Sequence, residues 1–310
     1  MELIRGIHNI RPEHHGCVAT IGNYDGVHLG HTEIIKRLKR RAERHGVSSV
    51  VIIFEPQPEE FFAHDECPAR LSRLREKFHL LAERGVDRLL VLKFNRALAT
   101  LKSEHFVRNL LVDKLGVRAL IIGDDFRFGR ARRGDFKTLL NLGRAYDFEI
   151  EQTPAFLFIG KRISSTSIRF LLHHGFMKEA ERMLGHPYYM EGRVVYGHRR
   201  GREWGFPTAN LDLHRMESPV SGIFAVKVHG LADEPLHAVA YAGTRPIIDD
   251  PRCVLEVHVF DYDADCYGAY IKVQFVGKIR EDIEFESFDV MAEQIRRDCD
   301  AAKEILSFEY

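Results

Sequence analysis

The first half of the chain alternates between short apolar runs and segments in which apolar residues recur at helical spacing. Three of the runs are SVVIIF at Ser49–Phe54, RLLVLKF at Arg88–Phe94 and ALIIG at Ala119–Gly123. Such runs, which lack polar alternation, are typical of strands covered on both faces. Because strands and helices alternate, the pattern predicts right-handed crossovers and a parallel, Rossmann-like sheet.

An earlier apolar run ends in a glycine-containing turn that leads into a helix. The run is Cys17–Ile21, the turn holds Gly22, Asn23 and Asp25, and a helical pattern is established from Glu33 onward. Free N–H groups and the positive end of the helix dipole converge at such a junction. The sequence therefore predicts a site for the phosphates of a nucleotide at this turn.

Two histidines, His28 and His31, stand at the entrance of that helix. Residues at this spacing share one face of a helical turn. Imidazoles placed there can donate hydrogen bonds to phosphate oxygens, most usefully where negative charge builds up at a phosphorus under attack. A metal site is a weaker interpretation, because no third ligand lies at a typical spacing. Since the chain has 17 histidines, a chance pair at a helix end is the alternative.

Motif-like polar sequences follow four of the predicted strands. They are GNYDGVHLGH, EPQPEEFF at Glu55–Phe62, GDDFRFGR at Gly123–Arg130 and ISSTSIR at Ile163–Arg169. Ligands of open parallel sheets gather beyond the carboxyl ends of the strands. The four loops together predict a ligand cleft at one edge of the sheet.

The second half of the chain has a different pattern of predicted secondary structure. After two short helices, Ser167–His173 and Lys178–Leu184, strand-like segments are separated by turns, and Phe288–Leu306 forms a closing helix. This spacing indicates an antiparallel barrel or sandwich. The strand-like segments are Tyr189–Tyr196, Ile223–His229, His237–Tyr241, Val254–Phe260 and Ala269–Val276. The boundary is predicted near Gly185, which gives domains 1–185 and 186–310.

A second glycine-rich loop, GRVVYGHRRGREWGFPTANL, lies at Gly192–Leu211. Near its end, Thr208 and Asn210 offer a hydroxyl and an amide oxygen that face the same way on extended chain. Oxygen ligands of this kind suit Mg²⁺ or a nucleotide phosphate. From these residues alone, a solvated hairpin loop is the preferred interpretation.

Charge and cysteine content exclude several classes of protein. Lys+Arg and Asp+Glu both number 45, so no overall basic field favours nucleic acid or a membrane surface. The five cysteines are odd in number and form no CxxC pair, which argues against a zinc site and a disulfide framework. No signal-peptide core or membrane-length apolar run is visible. A cytoplasmic protein is expected.

The motifs of the first half resemble the adenylyltransferase half of prokaryotic bifunctional riboflavin kinase/FAD synthetases, a branch of the nucleotidyltransferase superfamily. GNYDGVHLGH resembles the HxGH signature, and FEPQPEEFF, GDDFRFGR, RRGDF and ISSTSIR follow in the family's order. The resemblance implies a Rossmann-like nucleotidyltransferase domain with a parallel sheet. It also implies the reaction: FMN phosphate attacks the α-phosphorus of ATP, giving FAD and pyrophosphate.

The resemblance also assigns roles to residues of the first half. It implies that His28 and His31 steady the ATP phosphates. The other implied contacts with ATP or its phosphates are Gly22, Asn23, Asp25, Ser164, Ser165, Thr166 and Arg169, and the implied flavin contacts are Pro56, Pro58, Asp125, Phe126 and Phe128. Mg²⁺ would screen the phosphates.

Simpler roles stay open for several of these residues. Ser164–Thr166 is also a good helix N-cap, a role that can coexist with phosphate contact. Core packing is at least as good an interpretation for Phe126 and Phe128, and the two prolines can simply shape their loop. The sequence departs from the family pattern at Tyr24, where Phe is usual, and at Gln57, where His is frequent.

The second half resembles the riboflavin kinase domain of the same family. GRVVxGxxxGRxxGFPTANL carries the resemblance, and AYAGTRP, LEVHVFDYDADCYG and FESFDVMAEQIRRD fit downstream. This implies an antiparallel β-barrel with a C-terminal helix that transfers a phosphoryl group from ATP to the riboflavin 5′-hydroxyl. Thr208 and Asn210 are assigned to Mg²⁺–ATP and Glu256 to the catalytic base. Trp204 and Tyr241 depart from the family pattern.

Without the family, Glu256 reads as an outward-facing strand residue, and His258 as a supporting one. The expected ligands are riboflavin, FMN, FAD and ATP, with neither nucleic acid nor membrane as a partner. The oligomeric state is open. Two other functions stay open: a C-terminal domain that only binds flavin, and a transferase with a different phosphate-bearing acceptor.

Overall fold

The computed structural model describes residues 1–63, 67–158, 160–196, 206–245 and 252–308. Gly197, Gly201, Trp204 and Gly205 of the second glycine-rich loop lie outside these ranges. The chain divides into two compact units, one made of Met1–Cys67 with Lys77–Ile163 and the other of Pro68–Glu76 with Ser164–Tyr310. This division differs from the predicted boundary near Gly185.

The first unit contains a six-stranded sheet in which every pairing is parallel, as predicted. Its strands are β1 (Glu2–Arg5), β2 (Cys17–Ile21), β3 (Ser48–Glu55), β4 (Arg88–Lys93), β5 (Val117–Gly123) and β6 (Glu149–Thr153), in the order β1-β4-β3-β2-β5-β6. The central position of β2, between β3 and β5, brings the ends of the three motif-bearing strands side by side.

Helices join these strands. They are α1 (Leu29–His45), α2 (Pro58–Ala63), α3 (Leu74–Glu83), α4 (Arg96–Ala99), α5 (Ser103–Phe106) and α6 (Phe136–Tyr146), and α5 runs into a π-helical turn at Val107–Val112. A small antiparallel hairpin, β7 (Leu157–Phe158) and β8 (Lys161–Arg162), follows β6. The division between the two units falls within α3, after Glu76.

The core of the first unit explains the continuous apolar runs. All five residues of β2 are buried, and Cys17 and Ala19 pack with Val50, Ile52 and Leu120 of the neighbouring strands. Helices cover both faces of a parallel sheet, so its inner strands have no solvent-facing side. Because the inner strands are held in this core, the positions of their carboxyl ends, where the candidate site lies, are fixed.

The second unit is built around a closed antiparallel barrel of six strands. Two helices, α7 (Ser165–His173) and α8 (Met177–Leu184), precede it, and α9 (Phe288–Ser307) follows it. The strands are β9 (Tyr189–Val195), β10 (Ala209–Asp212), β11 (Gly222–His229), β12 (Leu236–Arg245), β13 (Arg252–Val259) and β14 (Tyr270–Arg280), in the closed order β10-β13-β12-β11-β14-β9. Of the two predicted architectures, barrel or sandwich, the chain forms the barrel.

The helices of the second unit pack on the outside of the barrel. Buried residues of α9, among them Cys299 and Ala302, join Ala225 and Val239 of the strands in one apolar cluster. On β14, Lys278 donates from Nζ to the carbonyl of His173 at 3.4 Å, and α8 packs on the same strand. These contacts place α7 and α8 with the barrel, which is why the division lies before them.

Within the described ranges of the chain, no helix is both long and apolar enough to span a bilayer.

Candidate active sites

The turn after β2 is held in shape by Tyr24 and Gly26. Tyr24 is buried in the left-handed region (φ 50°), and its hydroxyl lies 2.7 Å from Oγ1 of Thr20. Burial raises the pKa of Tyr24, so the phenol stays protonated. Gly26 has a φ of 76°, a conformation that side chains disfavour. The tyrosine that departs from the family pattern is thus accommodated, because its hydroxyl finds a partner.

Three of the other predicted phosphate contacts lie in the same turn. The N–H of Gly22 donates to the carbonyl of Ile52 at 3.1 Å, which ties the turn to β3. Asn23 is partly exposed, whereas Asp25 is only 2% exposed. A carboxylate this buried serves the turn itself more readily than a solvent-borne phosphate.

His28 and His31 lie face to face, as their spacing predicted. Their rings stack with centroids 3.7 Å apart and planes 15° from parallel. His28 is the N-cap of α1, and its Nδ1 accepts the N–H of His31 at 3.3 Å. Because Nδ1 is the acceptor, the ring proton of neutral His28 is on Nε2. That tautomer leaves Nε2–H as the ring's donor.

The surroundings of His31 favour its neutral form. Burial lowers its pKa well below the usual value, and the nearby charges of His28, Lys77 and Arg84 lower it further. Its Nδ1 is shielded from water and has no hydrogen-bond partner among the described residues. A buried, unsatisfied ring nitrogen is costly to maintain, so it indicates a place where a ligand can bond.

Gly30 permits this close packing of the histidines. A Cβ at that position would lie 3.1 Å from Cε1 of His28 and 3.7 Å from Cβ of Phe156. A larger residue would push the ring of His28 or the segment before β7. Close packing against His28 therefore explains why glycine occupies the third position of the HxGH signature in this chain.

An aromatic cluster lies beside the second motif loop, beyond the ends of β3 and β4. The rings of Phe54, Phe61, Phe62 and Phe94 are linked edge-to-face at 5.3 to 5.8 Å. Phe62 is 68% exposed although it belongs to this cluster. Phe62 is not among the residues predicted from the sequence, although two adjacent phenylalanines in a predicted ligand-binding loop could have pointed to it.

In the same loop, Pro56 is exposed and Pro58 begins α2, while Gln57 is only 4% exposed. The backbone N–H of Gln57 donates to Oε2 of Glu60 at 2.7 Å. Its side-chain Nε2 is buried with no partner among the described residues. The glutamine that stands where histidine is frequent therefore keeps an unsatisfied donor.

The predicted flavin contacts in the loop after β5 fall into two groups, an exposed aspartate and two phenylalanines that pack in or against the core. Asp125 is exposed, and Arg162 of β8 bridges it (3.0 Å) and Asp124 (2.8 Å). Phe128 is 7% exposed within the core of the sheet, and Phe126 packs against that core, stacked on Phe128 at 5.6 Å. For these phenylalanines the structure favours the packing role that the sequence left open.

The ISSTSIR motif spans the end of the first unit at Ile163 and the start of α7 in the second unit. Ser164 is the N-cap and its side chain accepts the N–H of Ser167 at 3.2 Å, which confirms the capping role. Ser165 opens the helix and Thr166 is exposed. Nε of Arg169 donates to the carbonyl of Ala69 at 2.6 Å.

The kinase candidates come together across neighbouring strands of the barrel. Asn210 of β10 is the direct cross-strand partner of Glu256 of β13, and Glu256 is also paired with Tyr241 of β12. Directly opposed residues share one face of a sheet with Cβ atoms about 5 Å apart. The hydroxyl of Tyr241 donates to Oδ2 of Asp282 at 3.0 Å.

Thr208 lines an open pocket of about 390 Å³ next to this row. Other lining residues include Tyr262, Asp263 and Tyr267, whereas Asn210 and Glu256 are not part of the lining. His258 donates from Nδ1 to the carbonyl of Pro207 at 2.8 Å. This bond fixes the residue before Thr208 to β13 and agrees with a supporting role for His258.

Comparisons with known proteins match the two parts of the chain to two different families. Residues 10–167 match the family described as FAD synthetase, and residues 184–306 match the family described as riboflavin kinase. The bifunctional riboflavin kinase/FMN adenylyltransferase of Escherichia coli (strain K12) is 48% identical over 305 residues, covering 98% of this chain and 97% of the relative. The protein of the same description from Haemophilus influenzae is 43% identical over 303 residues, covering 98% of each chain.

A solved structure also resembles the chain. It is described as a macrolide-efflux protein from Streptococcus pneumoniae, and it aligns with a TM-score of 0.82 and 28% identity over 98% of this chain and 99% of that one. This similarity shows a shared fold. The description as an efflux protein applies to the solved structure and not to this chain.

Proposed function

The chain belongs to the bifunctional riboflavin kinase/FMN adenylyltransferase family, and from this premise we propose which residues perform each of its two reactions. Its C-terminal half phosphorylates riboflavin to FMN, and its N-terminal half adenylylates FMN to FAD with release of pyrophosphate. One observation carries the residue assignment. The histidine pair lies in the first unit, while Thr208, Asn210 and Glu256 lie in the second.

For adenylyl transfer, His28 and His31 are the donors to the ATP phosphates. A phosphate oxygen of FMN attacks the α-phosphorus, the bond to the pyrophosphate oxygen breaks, and negative charge rises on the oxygens around phosphorus. The two stacked imidazoles are already fixed in place, so they lose little freedom when they donate to this charge. The reaction needs no covalent enzyme intermediate, so positioning and charge stabilisation make up the catalysis.

The flavin of FMN is assigned to the aromatic cluster around Phe62. An exposed ring that is already held edge-to-face by its neighbours offers a rigid apolar surface for the isoalloxazine. Pro56 and Pro58 shape the loop that presents it. Asp125, beside Arg162, is assigned to the polar edge of the ligand.

The phosphate contacts of Gly22, Asn23, Asp25, Ser164, Ser165, Thr166 and Arg169 remain proposals from the family resemblance. Nε of Arg169 is bonded to the carbonyl of Ala69, so this nitrogen is held by the protein itself.

For phosphoryl transfer, Glu256 is the base that accepts the proton of the riboflavin 5′-hydroxyl. As that oxygen attacks the γ-phosphorus of ATP, ADP leaves and the proton passes to the carboxylate. The cross-strand position of Asn210 supports this assignment, because it puts the nucleotide-binding candidate directly beside the base.

Magnesium is proposed as the metal of the kinase reaction. Among the residues that the structure describes, no cluster of three or more His, Cys, Asp or Glu side chains could hold a metal by itself. Thr208 and Asn210 instead supply two neutral oxygens, which fits an ion that keeps several waters and is bound mainly through substrate phosphates. When bound, Mg²⁺ neutralises charge on the transferring phosphoryl group.

A time course with purified protein, riboflavin, ATP and Mg²⁺ tests the proposed function. FMN should appear first and FAD afterwards, with pyrophosphate released in step with FAD. Bound riboflavin without FMN would overturn the kinase assignment. Addition of FMN in a second reaction tests the transferase separately, and an absence of FAD there would overturn that half.

We also propose a cytoplasmic location. All five cysteines are free thiols, and three of them, Cys17, Cys253 and Cys299, are buried. Such usage is typical of a reducing compartment.

A further inference from the structure

A short stretch of the first half of the sequence belongs to the second unit. Pro68–Glu76 lies inside the range that matches FAD synthetase, 10–167, yet it is grouped with Ser164–Tyr310. The stretch ends in the first turn of α3, where Glu76 is only 2% exposed.

The carboxylate of Glu76 accepts hydrogen bonds from three groups. Oε2 accepts the N–H of Arg73 at 2.6 Å and Nη2 of Arg215 at 2.5 Å, and Oε1 accepts the N–H of Glu191 at 3.0 Å. Arg215 also donates from Nη1 to the carbonyl of Arg70 at 2.6 Å. The side chains of Glu76 and Arg215 are 3% and 2% exposed, so the pair is shielded from water.

These bonds tie together the strands that carry the kinase candidates. Glu191 is in β9, and Arg215 follows β10. The carbonyl of Arg215 accepts the N–H of Cys253 in β13 at 3.1 Å. Strands β9, β10 and β13 are consecutive in the closed barrel, and Asn210 and Glu256 lie on the last two.

Charge makes the arrangement sensitive to a single substitution. Burial by itself would lower the pKa of Arg215, but the charge and hydrogen bond of Glu76 raise it above the usual value. Arg215 is therefore a buried cation whose strongest favourable interaction is with the carboxylate of Glu76. Removal of one partner of such a pair leaves the other charged and unpaired, which is far more disruptive than replacing both.

We propose that Glu76 is a positioning residue of the riboflavin kinase reaction, which holds β9, β10 and β13 so that Asn210 and Glu256 stay opposed. The proposal rests on the kinase roles given above to these two residues. It makes riboflavin phosphorylation depend on a side chain from the FAD synthetase part of the sequence.

Two variants of the full-length chain test the proposal, Glu76→Gln and the double variant Glu76→Leu with Arg215→Met. The first leaves the buried cation unpaired, and the second removes both charges with side chains of similar volume. In both variants we expect the kinase kcat to fall about tenfold or more, because small misplacements of reacting groups are costly. FAD formation from FMN should stay within about twofold of the parent. The melting temperature should fall in Glu76→Gln and recover in the double variant.

Kinase kcat at the parental value in either variant would overturn the proposal. So would a double variant that regains kinase activity together with its stability, since Glu76 would then serve stability alone. A parallel loss of FAD formation would also contradict it. The matched control is Glu293→Gln, which removes a carboxylate from an exposed pair with Arg296 and should change neither activity.

Amide hydrogen exchange separates this inference from the proposed function. Amides of β10 and of β13 around Cys253 should exchange faster in both variants. Unchanged exchange would overturn the positioning role of Glu76 even in a chain that makes no FMN. A parent chain that fails to make FMN overturns the kinase assignment instead.

Discussion

Asn210 and Glu256 lie directly opposite each other on β10 and β13, although they come from motifs that are far apart in the sequence. For neither residue does the local sequence alone favour a functional role over a structural one. The register of the barrel unites them, and it places them in one row with Tyr241. With the kinase roles proposed above for Asn210 and Glu256, the reaction depends on strand pairing as much as on the side chains.

The bond between His258 and Pro207 gives the first prediction. In His258→Leu the carbonyl of Pro207 loses its donor, so the segment that carries Thr208 is less well fixed. Kinase kcat/KM should fall about tenfold, the usual effect of one lost hydrogen bond. In His258→Asn the side-chain amide can replace Nδ1–H and should restore most of the activity. Equal activity of the two variants, measured as FMN formed from riboflavin, would contradict this role.

The exposed ring of Phe62 gives the second prediction. Phe62→Ala should raise the KM for FMN in FAD formation about three- to tenfold, the value of one aromatic contact. Stability should hardly change, because the ring is largely in solvent. The matched control is Phe128→Leu in the core, which should lower the free energy of unfolding by about 1 kcal/mol and leave this KM unchanged. An unaltered KM in Phe62→Ala would remove the cluster from the flavin site.

The lowered pKa of His31 gives a prediction about pH. The folded chain holds His31 neutral, whereas in the unfolded chain this residue takes up a proton below about pH 6.5. The unfolded state then binds more protons, so the free energy of unfolding of the parent should fall as the pH drops below that value.

Denaturant midpoints of the parent and of His31→Gln at pH 7.5 and 5.5 measure this effect. The parent should lose more stability between the two values than the variant does. A proton NMR titration of His31 with an ordinary midpoint near pH 6.5 would contradict the account.

The ion pair between Arg280 and Asp298 gives a prediction about stability. Asp298 is buried on α9 and accepts three bonds from the guanidinium of Arg280, the shortest at 2.7 Å. Asp298→Asn should lower the free energy of unfolding of the second unit by about 2–3 kcal/mol, because the charge of Arg280 loses its partner. Glu293→Gln, at an exposed pair on the same helix, should change it by less than about 0.5 kcal/mol. Equal shifts in thermal unfolding would refute the distinction.

Sequence patterns predicted most of the elements but missed strands whose signal is weak. The parallel sheet followed from continuous apolar runs, and β3, β4 and β5 lie within two residues of their predicted bounds. β1 was not predicted, because only Ile4 of its four residues is buried and its apolar pattern is weak. β10 is similarly short, and its polar residues alternate with buried ones. Edge and short strands depend on their neighbours more than on their own composition.

Long-range relationships were beyond the sequence for a physical reason. Nothing in the local pattern around Glu76 indicates that its partner is Arg215, since a buried ion pair forms only when tertiary packing brings the two groups together. The site histidines were easier to find, because His28 and His31 are neighbours on one helical turn. Local geometry follows from spacing, whereas the ion pair of Glu76 with Arg215 and the strand register follow from the completed fold.

The most direct test is to separate the two activities with His28→Ala and Glu256→Ala in the full-length chain. With riboflavin, ATP and Mg²⁺, His28→Ala should accumulate FMN while FAD formation falls about 100-fold or more. Glu256→Ala should fail to convert riboflavin, yet make FAD at the parental rate from added FMN. Equal loss of both activities in either variant would contradict two separate sites.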